Sequence, residues 1–312
     1  MSVTGTDTEI LERVRSWFGD AVPERLGVAV SGGGDSVALL HILTRCFGSD
    51  GPMLLAATVD HGLRPEAAEE AAQVARLAAG LGVRHTVLRW RGWDGSGNLQ
   101  DRARRARYGL LSRWARENGI GMVALAHTAD DQAETVLMRL GRAAGVDGLS
   151  GIPERRIERG VTFVRPLLGV TRAALRDYLT RNRIAWAEDP SNRDARFERV
   201  RARRILQALR PLGVDVPALA EVARHMAQAR AALSWHAFLA AREVACLDAG
   251  DVLLDRRGFR TLPEEIARRL MQRAVRWVAG GEYPPRRAPL AAAIAAVRHG
   301  RIATLAGCVV GG

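Results

Sequence analysis

Short, almost wholly apolar runs alternate along the chain with longer stretches in which apolar positions recur every three or four residues. LGVAVS (26–31), MLLAATVD (53–60) and GMVALAH (121–127) are of the first kind, and VRHTVLRW (83–90), half of it polar, also reads as a strand. VALLHILTRCF (37–47), EAAEEAAQVARLAAGL (66–81), DRARRARYGLLSRWAREN (101–118) and DDQAETVLMRLG (130–141) are of the second. Near-continuous apolar strands belong to a sheet buried on both faces, and intervening helices make that sheet parallel. The first part of the chain is therefore expected to be α/β, with helices on both faces of a parallel sheet. In AGVDGLSGIPERR (143–156) the glycines and proline predict a loop, after which a short strand and a helix follow. From residue 213 the chain reads as alanine- and arginine-rich amphipathic helices, 216–244 being the longest, which predicts a small, mainly helical second domain. The expected domains are 1–212 and 213–312, dividing near Pro211. The closing RIATLAGCVVGG (301–312) reads as a strand that begins a unit without completing it, so the second domain is expected to be truncated at its end.

An apolar share of 47% over 312 residues is ample for a substantial core. No run approaches the roughly 18 to 20 uninterrupted apolar residues that span a bilayer, and the first residues, MSVTGTDTEILERVRSW, lack the charged-then-apolar order of a signal peptide. A cytoplasmic protein with no membrane partner is expected. Cys46, Cys246 and Cys308 are too few and too scattered for a disulfide framework or a paired-cysteine metal site. The 46 basic residues against 34 acidic ones give a formal charge of +12, which suits a polyanionic partner, nucleic acid first. Every one of the basic residues is arginine. Without lysine there is no P-loop of the GxxxxGK[ST] type and no Schiff-base chemistry.

Ser31-Gly32-Gly33-Gly34-Asp35-Ser36 joins the first strand pattern to a helix pattern expected to start at Ser36, the place where an open parallel sheet meets its ligand. Consecutive glycines let a backbone approach an anion, and the helix start adds unpaired N–H groups. Asp35 would repel a bare phosphate, so a bridging Mg²⁺ is implied. His127-Thr128-Ala129-Asp130-Asp131-Gln132-Ala133-Glu134-Thr135 follows another strand and shares its edge of the sheet. Asp131 and Glu134 fall on one helix face, a second carboxylate group for Mg²⁺ or positioning, while simple N-capping by Asp130 is the plainer account of one aspartate.

These segments resemble the N-type ATP pyrophosphatases, marked by an SGGxDS loop, and among them the tRNA(Ile)-lysidine synthetase family. Asp60-His61-Gly62-Leu63-Arg64, Ala103-Arg104 with Arg107-Tyr108, HTADDQAET (127–135), Arg165-Pro166-Leu167-Leu168 and Glu188-Asp189-Pro190-Ser191-Asn192 with Asp194 and Phe197 are similar to that family's motifs, in the same order over about 26–206. Gln100, where the family often has Glu, and Val200 after Arg199, where it usually has Asn, depart from the pattern. The resemblance implies a Rossmann-like catalytic domain that joins free L-lysine to the wobble cytidine of a CAU-anticodon isoleucine tRNA, consuming ATP. It implies ATP binding by Ser31, Gly32, Gly33, Gly34, Asp35, Ser36 and His61, and metal binding by Asp35, Asp131 and Glu134. Catalytic roles fall to Asp35, Asp131, His127 and Arg104, and contacts with tRNA or lysine to Arg107, Asn192, Arg199 and Arg203.

The stretch from Arg193 to Arg210 holds seven arginines and is read either as a solvated helix face or as a track for the tRNA backbone. Trp186 could stack on an unpaired base, though Ile184 beside it favours a core position. Two other readings share these motifs: a different enzyme of the superfamily, such as a tRNA thiolase or an amidotransferase-coupled ligase, and a non-catalytic RNA-binding protein on the same fold. Retention of Asp35, Asp131 and Glu134 argues against the last. Oligomeric state is left open, a homodimer included.

Overall fold

In the computed structural model, which describes residues 6–48, 51–62, 67–91, 93, 96–188, 196, 198–281 and 284–311, the runs at 26–31, 53–60 and 121–127 supply inner strands of a sheet and 83–90 an edge strand with most of its residues exposed. β1 (Arg25–Ala29) buries Leu26 and Val28 completely. It pairs in parallel on one side with β2 (Met53–Asp60), which pairs in parallel with β3 (Arg84–Arg89). On the other side it pairs in parallel with β4 (Met122–Ala124), Leu26 opposite Met122 and Val28 opposite Ala124. β5 (Arg155–Glu158) and β6 (Val161–Val164) complete a six-stranded sheet of order β3-β2-β1-β4-β6-β5, antiparallel only where β5 meets β6. The chain winds outward from β1 in both directions, so the β1/β4 boundary is where the strand order reverses and a crevice opens at the carboxyl edge.

Both faces are covered, as the unbroken apolar strands require. One face carries α1 (Asp7–Phe18), α2 (Gly34–Phe47), α3 (Ala67–Gly80) and α7 (Arg172–Arg181), which pack Val14, Leu40, Val74 and Leu175 against Leu26 and Val28. The other face carries α4 (Leu99–Glu117), whose Leu111 and Trp114 pack on Leu55, Val123 and Phe163. Gly27 permits that approach: a Cβ there would stand 3.0 Å from the Trp114 ring and 3.0 Å from Val123. α5 (Ala129–Leu140) follows β4 and packs Ala133 and Val136 on Leu206 of α8 (Glu198–Leu209) and on Leu219 and Ala223 of α9 (Val216–Val244).

The segment 143–156 is more ordered than a loop. It contains a short helix, α6 (Val146–Leu149), and the start of β5. The side-chain amide of Gln132 holds it like a strand partner, donating to the Ile152 carbonyl at 2.9 Å and accepting from its N–H at 2.6 Å. A side chain on α5 thus supplies bonds that glycine- and proline-based reading cannot see.

The chain divides into two compact units, Met1–His225 and Met226–Gly312, the division falling within α9, whereas the sequence reading divides the chain at 212/213. The second unit is mainly helical, with α10 (Arg256–Thr261), α11 (Glu264–Ala279) and α12 (Arg287–Arg298), but it also holds two hairpins. These are β7 (Ala245–Asp248) with β8 (Asp251–Leu254), and β9 (Ala303–Leu305) with β10 (Cys308–Val310). The terminal run is therefore not one unfinished strand. It turns at Gly307 (φ +82°) and buries Leu305 among Leu270, Val275, Leu290 and Ile294 of the unit's own core.

Candidate active site

The glycine loop leaves β1 at the β1/β4 boundary. Gly32 takes φ +89°, a left-handed conformation that glycine adopts without strain. Gly33 caps the helix, its carbonyl accepting from the N–H groups of Ser36 (3.0 Å) and Val37 (3.1 Å), so α2 opens at Gly34 rather than at Ser36. Asp35 consequently lies in the first helical turn, where the dipole favours a carboxylate. Ser36 Oγ donates to the Gly33 carbonyl at 2.8 Å and accepts from the Ser31 N–H at 3.0 Å, closing the loop on itself. From outside, the Gly32 carbonyl accepts from the Ala187 N–H at 3.0 Å, and a Cβ on Gly34 would meet Trp186 at 3.3 Å. Trp186 is half-buried against the core beside Ile184 and also faces the loop.

The second group is built by the start of α5. Its N-cap is Thr128, not Asp130: Thr128 Oγ accepts from the Asp131 N–H at 3.4 Å, while Asp131 Oδ2 accepts from the Thr128 N–H at 2.9 Å and hydroxyl at 3.1 Å. The reciprocal pair is a capping box with aspartate in the acidic position, and it fixes Asp131. Asp130 points elsewhere and accepts the backbone N–H of Arg172 at 2.7 Å. The guanidinium of Arg172 reaches Asp35 at 3.0 Å, Asp131 at 3.4 Å and Glu134 at 3.4 Å. Arg199 adds a 3.3 Å contact to Asp131 and Arg203 a 2.5 Å contact to Glu134.

Charge follows this geometry. Burial, with the charges of Asp131 and Asp130, holds Asp35 above the usual carboxylate range although Arg172 opposes it. Burial pushes Asp131 up too, but Arg172, the Thr128 N–H and Arg199 outweigh it and hold Asp131 below that range. Burial, joined by Arg107, Arg165 and Arg199 and opposed by Asp131, pushes His127 down to about 3. His127 is a neutral imidazole near pH 7.

A cleft of about 1130 Å³ opens over these residues, lined by the loop from Ser31 to Ser36 apart from Gly32, and by His61, Arg107, His127, Asp131, Arg172, Trp186, Arg199 and Arg203. The predicted residues that the structure describes thus converge, with two differences of position. Glu134 is fully buried behind Asp131. Arg104 is exposed on α4 with its guanidinium 5.2 Å over the Tyr108 ring and does not line the cleft, whereas Arg107 does. Asn192 lies outside the described residues, as do Leu63, Arg64, Asp189, Pro190, Ser191, Asp194 and Phe197. Several buried polar atoms here lack a partner: His61 Nδ1, His127 Nδ1, Arg107 Nε and Glu134 Oε2. Unpaired buried polar atoms are costly, so those on the cleft-lining His61, His127 and Arg107 are candidates for contact with a ligand.

Arg172 is the residue that sequence reasoning missed. It is the first residue of α7, after the N-cap Thr171, in a first turn without any acid. A cation there opposes the helix dipole. That mismatch was the available signal.

A parallel sheet with a glycine-rich anion loop and a carboxylate group at its reversal point defines a nucleotide-binding protein of the PP-loop class, and residues 6–209 match the PP-loop domain family. The chain is 61% identical over 302 residues to a tRNA(Ile)-lysidine synthase of Ruegeria pomeroyi, covering 97% of this chain and 72% of that protein. It is 45% identical over 292 residues to the tRNA(Ile)-lysidine synthase of Rhodopseudomonas palustris, covering 91% and 84%. The chain belongs to the tRNA(Ile)-lysidine synthase family. Among solved structures it is similar to a U34-tRNA thiolase of Methanococcus maripaludis carrying a 4Fe–4S cluster, with TM-score 0.61, 16% identity and coverage of 71% of this chain and 78% of that one, a likeness of fold.

Proposed function

We propose that this chain ligates free L-lysine to C2 of the wobble cytidine of a CAU-anticodon isoleucine tRNA, with ATP consumed and AMP and pyrophosphate released. The cytidine O2 attacks the α-phosphorus of ATP, the bond to the β-phosphate oxygen breaks, and pyrophosphate leaves. The lysine ε-amine then adds at C2, the C2–O bond breaks to release AMP, and the amine gives up a proton. The observation that carries this reading is the convergence, on one cleft, of the glycine loop, Asp35 and Asp131. We assign the chemistry to residues 1–212, with the remainder supporting tRNA binding, and the cytoplasm, where its substrates meet, as its location.

Asp35 and Asp131 line the cleft from the two sides of the β1/β4 boundary, and the buried Glu134 Oε2 has no donor. These residues fit Mg²⁺, which needs only one or two protein carboxylates when substrate phosphates and water fill the rest of its shell. When bound, the ion would offset charge developing on the α- and β-phosphates. Asp35 and Asp131 would hold it, with Glu134 steadying the arginines around them. The loop N–H groups of Gly33, Gly34 and Asp35 would hold phosphate oxygens, with the Ser36 N–H already on the Gly33 carbonyl. His61, with its unpartnered Nδ1, would meet the nucleotide, and neutral His127 would donate to or accept from the reacting groups. Arg107, Asn192, Arg199 and Arg203 would contact the tRNA or lysine, whereas Arg104, expected to be catalytic, stands exposed outside the cleft and is given no step.

The thiolase alternative lacks a thiol where it is needed. Cys46 is buried in α2, its thiol donating to the Leu11 carbonyl, and burial pushes it up to about 11. No cysteine lines the cleft among the described residues. The test is mass spectrometry of a CAU-anticodon isoleucine tRNA after incubation with ATP and lysine. Gain of one lysine less one water is expected, and Asp35→Ala is expected to abolish both this gain and pyrophosphate release. Incorporation of sulfur, or pyrophosphate release by Asp35→Ala at the wild-type rate, would sink the reading.

A further inference from the structure

The reaction scheme makes no use of Arg172, yet that side chain has the densest set of charged contacts in the cleft. Its Nε donates to Asp35 Oδ2 at 3.0 Å, one terminal nitrogen to Asp131 Oδ1 at 3.4 Å and the other to Glu134 Oε1 at 3.4 Å. Its backbone N–H is fixed on Asp130. One planar fork therefore spans carboxylates from two separate elements, the start of α2 and the first turns of α5. All are largely shielded: the side chains are 18% exposed for Arg172, 24% for Asp35, 9% for Asp131 and 0% for Glu134. Arg199 and Arg203 also reach Asp131 and Glu134, but Arg172 alone among the described ion pairs joins both to Asp35, and without it the carboxylate of Asp35 would face the other two with little water between. An ammonium could neutralise them as a point charge but could not reach three acceptors from one plane.

We propose that Arg172 is a positioning residue, the resident cation that holds Asp35, Asp131 and Glu134 in register and keeps a free divalent ion out until a triphosphate brings one in. This rests on the ATP-dependent reading of the cleft. A guanidinium and a bare metal ion compete for the same carboxylate oxygens and repel each other. Triphosphate oxygens supply the extra negative charge that lets both cations occupy one site.

The probe is Mn²⁺, titrated into nucleotide-free protein and followed by electron paramagnetic resonance. Wild type and Arg172→Lys should bind weakly, and Arg172→Ala at least about tenfold more tightly, since one uncompensated buried charge at this range is worth a factor of ten or more. The gain should vanish in an Asp35→Asn/Arg172→Ala double variant, which places the ion at the cluster. In steady state, Arg172→Lys should keep the KM for ATP within about threefold while kcat for AMP formation falls at least about tenfold, the pattern of lost orientation rather than lost binding. A purely structural role would lower the melting temperature of Arg172→Ala and leave its Mn²⁺ affinity at the wild-type value. That result would overturn the proposal, as would wild-type kcat in Arg172→Lys. If Arg172→Ala shows no cooperative melt, neutral Arg172→Gln replaces it in the same titration. Lysidine formation by the wild-type preparation is measured alongside: its absence would fault the functional reading, and the Mn²⁺ titration would still decide the role of Arg172.

Discussion

His127 and Asp131 sit at the entrance of α5 with proton affinities displaced from ordinary values by the same surroundings. A histidine held neutral to about pH 3 when folded, and titrating near 6.5 when unfolded, binds fewer protons folded than unfolded throughout that interval. Its stabilising contribution is therefore intact above about pH 6.5 and is lost progressively as pH falls from there toward 3. Asp131, depressed below its ordinary value, contributes stability above its unfolded value of about 3.9, lost at still lower pH as it falls through the folded value. Guanidinium unfolding midpoints measured from pH 8 to pH 4 should decline below 6.5 in wild type, and part of that decline should be missing in His127→Gln. Parallel curves for the two proteins would refute the assignment. A second residue-scale prediction separates charge from capping at Asp131. Asp131→Asn keeps an oxygen for the Thr128 N–H but loses the charge that pairs with Arg172 and Arg199 and should melt below wild type, and Asp131→Ala, which also loses the box, should melt lower still by about 1 kcal/mol. Neither should release pyrophosphate.

At the scale of elements, the two loops that build the site depend on different local physics. A Cβ on Gly32 would meet Glu70 at 3.6 Å, an ordinary van der Waals contact without a clash, so its requirement is backbone conformation alone. Gly32→Ala should cost roughly 1–2 kcal/mol of stability and weaken ATP binding, measured by calorimetry, because the left-handed turn aims the next N–H groups. Thr128→Ala should cost about 1 kcal/mol and reduce AMP formation through a loosened Asp131. The strands and the phosphate loop were legible in the sequence because unbroken apolar runs and three successive glycines are local signals. The start of α2 was not, because glycine's low propensity suggests a loop through Ser36, while the Gly33 carbonyl already accepts helical N–H groups. The order in 143–156 was hidden because its partner is the side chain of Gln132. Arg172 was hidden because its acceptors on α2 and α5 lie 38 to 137 positions away in the chain.

At the scale of the whole molecule, charge and topology speak to different partners. The reversal of strand order at β1/β4 places the nucleotide cleft, and the chain's formal charge of +12 predisposes it to a phosphodiester backbone. Affinity for tRNA should fall steeply with salt, by a factor of about a thousand between 50 and 200 mM if about six phosphates are contacted. Arg199→Ala should flatten the slope of log affinity against log salt by about one, measured by filter binding. In the second unit the amphipathic helices were legible, but the two hairpins were not, since three- and four-residue strands carry too short an alternation to separate from helix.

The backbone link between Ala187 and Gly32 has one more implication. The amide hydrogen of Ala187 is engaged by the carbonyl of the loop that would receive the triphosphate, so a single exchangeable proton reports whether that loop is seated. Its replacement by deuterium, read by mass spectrometry of the peptide around Trp186, should slow when ATP is added and quicken in Gly32→Ala, giving a clock for nucleotide arrival that requires no turnover.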